Sequence, residues 1–125
     1  MATAIIQATR KIRTVTFAEV NDETGLAAPK EDYAEVLGYR SMRLTLRVLS
    51  LTGDTPQAGI QMETGMDIDD DAGFVSLGLF DLVGTSTDTQ QRVFTDLMRY
   101  VRWRVMALEG SDATIVFSID GIAYE

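Results

Sequence analysis

From Met42 onward the chain alternates. In Met42-Arg43-Leu44-Thr45-Leu46-Arg47-Val48 every second residue is apolar and the residues between are Arg, Thr and Arg, the period of a strand with one face buried. Ala58-Gly59-Ile60-Gln61-Met62-Glu63 alternates again, and Phe74–Phe80 is a third strand-like run. Val101, Trp103, Val105 and Ala107 define one face of a later strand, with Tyr100, Arg102 and Arg104 on the other. In Ala113–Tyr124 the inward set is Ile115, Phe117 and Ile119. Turn-forming residues separate these runs: Thr52-Gly53-Asp54-Thr55-Pro56, Gly65 to Gly73, Gly84–Asp88 and Glu109-Gly110-Ser111-Asp112. The last of these predicts an antiparallel hairpin between the final two strands.

Strands recurring about every ten residues predict an all-β fold, an antiparallel β-sandwich of jelly-roll type. Arg92–Arg104 also satisfies helical spacing, through Val93, Leu97, Tyr100 and Val101. The β-branched and aromatic side chains of Val101, Trp103 and Val105 favour a pleated surface. The segment is therefore read as a strand at Gln91–Phe94, a helical turn at Asp96–Met98, then the Tyr100 strand.

A chain of 125 residues fits one domain. It is 46% hydrophobic and 24% charged, the balance of a globular protein with one core. Neither His nor Cys occurs. Thiolate catalysis, disulfides, imidazole acid–base chemistry and the usual zinc or haem ligation are thereby excluded. No apolar run is long enough to span a bilayer as a helix, and Met-Ala-Thr-Ala-Ile-Ile-Gln lacks the features of a secretory leader.

The net charge of −8 is unevenly spread. Arg10, Lys11 and Arg13 place +3 on residues 1–13, and the remainder carries −11. An acidic body repels nucleic acid and anionic membrane, so neither is expected as a partner. Asn21–Pro29 reads as a loop. Residues 1–13 ahead of it form a basic arm or edge strand, with 14–125 as the single sandwich domain. Arg10, Lys11 and Arg13 are the candidate interaction residues, reaching an acidic patch on another copy or on a lattice; the alternative is that they offset this chain's own acids.

Other constellations point to little chemistry. Asp67-Ile68-Asp69-Asp70-Asp71-Ala72-Gly73 has the opening spacing of a calcium loop, but Ala72 and Gly78 stand where an EF-hand needs Gly and a bidentate Glu. It reads as a solvated acidic turn. No carboxylate pair is singled out for glycoside hydrolysis, and no Gly-rich loop opens a helix for phosphate. Arg99-Tyr100-Val101-Arg102-Trp103-Arg104 has the composition of a single-strand nucleic-acid or sugar platform. Its alternation instead assigns Trp103 to the core and the arginines to a solvated face that pairs with acids on neighbouring strands. No catalytic residue, metal or cofactor is assigned.

Five stretches together carry a resemblance: Leu51–Pro56, Ile60–Asp67, Phe74–Phe80, Arg99–Trp103 and Ala113–Gly121. Their order resembles that of small β-sandwich proteins encoded among the structural genes of tailed bacteriophages and prophages. That plan has a Gly-x-x-Pro turn, a strand ending in an aspartate turn, Leu-Gly-x-Phe, Arg-Tyr-Val-Arg and a final strand of alternating Phe, Ser and Val or Ile. The likeness spans Arg43 to Tyr124. It departs at Asp71-Ala72-Gly73-Phe74, where the family commonly has Asp-Gly followed by Trp. The resemblance implies a non-enzymatic virion component made in the host cytoplasm, expected as a capsid decoration protein. Its partners would be the major capsid protein or other virion proteins, with several copies associating on the particle. A tail or neck component and a carbohydrate-binding module are the alternatives.

Overall fold

The computed structural model describes residues 2–20 and 25–125. Two antiparallel sheets pack face to face. In the first, β1 (Thr3–Gln7) and β2 (Arg13–Thr16) lie end to end along one side of β10 (Thr114–Tyr124). Beyond β10 come β5 (Ser41–Thr52) and then β8 (Asp88–Thr95). In the second, β3 (Leu26–Ala27) and β4 (Ala34–Glu35) lie along one side of β9 (Tyr100–Glu109), followed by β6 (Gln57–Gly65) and β7 (Val75–Leu79). Counting β1–β2 and β3–β4 as one interrupted edge strand each gives eight strands, ordered 1-8-3-6 against 2-7-4-5. That is the double Greek key of a jelly roll.

The two central strands supply the middle of the core. Val101, Trp103 and Val105 of β9 face Ile115, Phe117 and Ile119 of β10, all essentially inaccessible. The Trp103 and Phe117 rings meet edge to face at 5.1 Å and 89°. Phe80 and Phe94 make a similar contact at 5.5 Å. Such pairs bury large apolar areas, and the quadrupoles favour the tilted geometry.

This face-to-face packing overturns the predicted hairpin. Glu109–Asp112 links β9 and β10, yet β9 pairs with β6 and β10 pairs with β5. Both strands carry a long apolar face, and stacking those faces buries more than side-by-side pairing would. The link passes close to the β5–β6 crossing, where Asp54 N–H donates to Ser111 C=O at 3.3 Å. Gly110 has φ +107°, and a Cβ there would stand 2.6 Å from Asp54 O, so only glycine fits.

Three further expectations change. Ala107 does not continue the inward face of β9, because the register shifts between Gly59 and Ile60 and leaves Met106 as the extra residue. Leu108 takes the buried position instead, at 4% exposure. Asp96–Met98 is an irregular bend with Asp96 at φ +62°, not a helical turn. It carries the chain from one sheet to the other, and Thr64 Oγ1 accepts from the Met98 N–H at 2.8 Å. Within the predicted Asn21–Pro29 loop, residues 21–24 lie outside the described residues, while Leu26–Ala27 pair with β9 as a short strand.

Residues 3–7 are an edge strand, in register with β10 from Thr3↔Tyr124 to Gln7↔Asp120. The chain enters β2 at Arg13 and then makes a single helical turn, α1 (Phe17–Val20). The Thr16 N–H and hydroxyl both donate to Glu19 Oε1 at 3.0 Å, which caps that turn.

Candidate interaction surfaces

The break between β1 and β2 faces the break between β3 and β4 on one side of the sandwich, and charged residues join them. Pro29 opens a short 3-10 turn over Lys30–Asp32, closed by Tyr33 N–H to Lys30 C=O at 3.0 Å. This turn aims the Asp32 carboxylate inward, where it is wholly buried. Asp32 accepts from the Arg10 backbone N–H at 3.0 Å, from Arg13 Nε at 2.7 Å and Nη2 at 2.6 Å, and from Trp103 Nε1 at 3.0 Å. Arg13 Nη2 also reaches Glu31 Oε1 at 2.7 Å.

Burial by itself pushes the Asp32 carboxyl up, but the hydrogen bonds from Arg13, Arg10 and Trp103 outweigh it and hold the group below the usual aspartate range. Hydrogen bonds from Asp32 and Glu31 raise Arg13 in turn. A buried ion pair with its lone pairs filled is costly to break from one side, because the remaining charge is stranded. The clamp ties both sheets together along this seam.

A second ionic cluster lies on the outer face of the second sheet. Glu63 and Arg102 are directly opposed across β6 and β9. Arg102 Nε donates to Glu63 Oε1 at 2.7 Å, and Arg104 Nε donates to Glu63 Oε2 at 3.0 Å. Arg102 Nη1 reaches Tyr33 Oη and Asp71 Oδ1, each at 2.7 Å. The guanidinium also lies over the Phe74 ring, 4.1 Å from its centroid. Burial works against the charged form of Arg102, but hydrogen bonds to Glu63, Tyr33 and Asp71 raise it overall. The arginine face was therefore read correctly as pairing with acids across strands and incorrectly as solvated. Arg102 is only 1% exposed, because Phe74, Tyr33 and the 67–73 turn fold over it. Trp103 is in the core, as its alternation implied.

In the acidic turn each carboxylate has its own partner. Asp69 pairs with Lys30 at 2.5 Å and Asp71 with Arg102; Asp67 accepts from the Asp69 N–H and Asp70 from the Gly73 N–H. Among the described residues no group of three or more acidic side chains is gathered around a common point for a metal ion.

Of the three candidate interaction residues, Arg10 and Arg13 reach the Asp32–Glu31 turn, while Lys11 is exposed. Arg13 forms ion pairs with both acids of that turn, whereas Arg10 meets Asp32 through its backbone N–H and donates its Nε to the Glu31 C=O. Grooves among the described residues mark the seams. One of about 510 Å³ runs beside β1 and is lined in part by Ile5, Gln7, Arg10, Tyr33, Glu35 and Tyr39. Another of about 290 Å³ lies on the far side of Arg13, between Val15, Leu26, Pro29 and Trp103. A third, of about 670 Å³, lies on the opposite side of the sandwich, at Asp81, Asp88 and Gln90–Arg92. Among the described residues the buried acids are Asp32 and Glu63, and donors engage the oxygens of both.

Reading the sequence alone missed Asp32, Glu63 and Arg102 as buried ions. Glu63 and Arg102 sit at outward positions of alternating strands, and what buries them arrives from distant loops. No scanned protein-family model matches the chain, and no curated protein sequence matches it either.

Proposed function

We propose that this protein is a non-enzymatic structural component of a phage particle, a decoration protein that binds the outer capsid lattice and braces it. The observation that carries the reading is the placement of its ionic groups. Asp32–Arg13 and Glu63–Arg102 are consumed in holding the jelly roll together, which leaves sheet faces, edges and seams as the surfaces through which it acts. Jelly rolls serve in viral capsids and in lectins, so fold analogy is compatible with this role. The resemblance of Arg43–Tyr124 to phage structural proteins favours the virion.

Bracing would be mechanical. Many weakly bound copies, each adding a small interface across a capsomer joint, stabilise a lattice together through mass action and multivalency. The net charge of −8 limits aggregation among crowded copies and keeps them off free DNA.

Co-sedimentation with purified capsids of the encoding phage or prophage tests the reading. Saturable pelleting with empty capsids, and failure to pellet with tails, is the expected result. Binding to tails alone would move the protein to the tail or neck. The groove with Tyr33 and Tyr39 on its wall favours a second reading, a carbohydrate-binding module, because tyrosine rings can stack on sugars. Glycan-array binding that Tyr39→Ala removes, with no capsid binding, would replace the structural role with that one.

A further inference from the structure

We propose that β1 is a self-pairing edge along which two copies of this chain join, antiparallel about a two-fold axis at Ile5, into one continuous sheet. The inference does not rest on the virion reading, since two chains in buffer suffice to show it.

Ala8 N–H donates to Ile119 C=O at 2.9 Å and Glu125 N–H to Ala2 C=O at 3.1 Å. With the register of β1 on β10, these bonds aim the amides of the even-numbered residues at β10. The N–H and C=O groups of Thr3, Ile5 and Gln7 therefore point away from the sheet. Among the described residues no strand pairs with β1 on that side.

Such edges are ordinarily guarded by charge, proline, a bulge or a covering element. The opposite seam shows guarding of this kind. The Gln90 side chain engages both the N–H and the C=O of Asp81, Arg92 donates to Leu79 C=O, and the β6–β7 register shifts between Met62 and Glu63. Thr3-Ala4-Ile5-Ile6-Gln7 carries no charge and no proline, and its register on β10 is unbroken. Ile5 is 85% exposed, and its cross-strand neighbour Ile122 is 41% exposed. An apolar row on the outer face thus runs up to the open edge and stops there.

A second copy completes both features. With Ile5 opposite Ile5, Thr3 falls opposite Gln7 in both directions, so every outward amide meets an outward amide. Ala4 then faces Ile6, and the outer row continues as Ile122, Ile5, Ile5, Ile122. Main-chain pairing of this sort supplies affinity, while the side-chain row fixes register.

The absence of cysteine makes the register directly testable in the full chain. Directly opposed hydrogen-bonded residues have Cα atoms about 5.5 Å apart, within disulfide range. Residues four positions out of register lie roughly 13 Å apart, beyond it. Under mild oxidation Ile5→Cys should form a disulfide dimer. Thr3→Cys and Gln7→Cys should each form no disulfide alone and cross-link when mixed. In sedimentation velocity the parent chain should show a concentration-dependent dimer, and Ile5→Lys should remain monomeric and melt like the parent diluted to its monomer. The proposal is overturned if the parent is monomeric at every concentration, if Ile5→Lys associates like the parent, or if Gln7→Cys alone cross-links as readily as Ile5→Cys.

Discussion

The indole N–H of Trp103 donates to the buried carboxylate of Asp32 at 3.0 Å, linking the largest side chain of the core to the ion pair that closes the seam. Core and seam therefore share one residue, and damage to either is transmitted to the other.

Trp103→Ala should cost on the order of 3–5 kcal/mol, the range of large-to-small truncations in a packed core. Trp103→Phe should cost less but more than a simple volume change, since it also removes one donor from Asp32. Urea melts of the two variants check this, and near-parental stability in Trp103→Ala would place the ring outside the core.

Acid sensitivity should originate partly at Asp32. Its folded-state value is depressed, so its contribution is complete above the ordinary aspartate value of 3.8 and is lost as pH falls through the lower folded value. In that window the unfolded chain binds more protons, and stability drops with pH. Asp32→Asn should be destabilised at pH 7 and show a shallower loss below pH ~4. Urea midpoints at pH 3 and pH 7 would reveal a difference in slope, and parallel curves would assign the acid limb elsewhere.

Removing one member of the Glu63–Arg102 pair should cost about 3–5 kcal/mol, because the survivor is left buried and partly unpaired. Glu63→Ala should be the worse case, as Arg102 then retains only exposed Asp71 as a charged partner. Replacing both, with Glu63→Gln and Arg102→Met, should cost less than the two single changes added together. A double-mutant cycle measures that coupling.

Two glycines should respond in opposite ways to alanine. A Cβ at Gly121 would stand 1.9 Å from Arg43 O, backbone that cannot give way without parting β5 from β10. Gly121→Ala should cost at least the roughly 1–3 kcal/mol of ordinary overpacking. At Gly59 the nearest atom is the Leu82 side chain at 3.4 Å, so Gly59→Ala should be close to neutral by thermal melting.

Deleting residues 2–13 should destabilise the fold itself. The deletion removes β1, the buried side chains of Ile6 and Ala8, and Arg13 from the Asp32 carboxylate. A sharply lowered melting temperature is expected, and a truncated chain that melted like the parent would make the segment a dispensable arm.

The strands were legible because alternation is a local property. Met42–Val48 has one face to bury and one to hydrate, and that fixes a half-buried strand wherever the strand ends up. The same holds for Trp103, whose neighbours at every second position are valines. The bend at Asp96–Met98 is not legible, because the spacing of Val93, Leu97 and Val101 fits a helix as well as two strands joined by a bend. Ala107 leaves the inward face because a bulge reverses the phase of alternation, and that leaves no mark in composition.

Composition and alternation alone thus specify a cysteine- and histidine-free, acidic, all-β chain with its core on alternate residues. Tertiary structure decided which strands pair, since β9 and β10 are adjacent in sequence and stack across the core. It also decided which charges are buried. Asp32 and Arg13 are 19 residues apart, and Glu63 and Arg102 are 39 apart. A charge reads as solvated until distant segments cover it, and the cost of that burial is offset only by the partner that folding brings alongside.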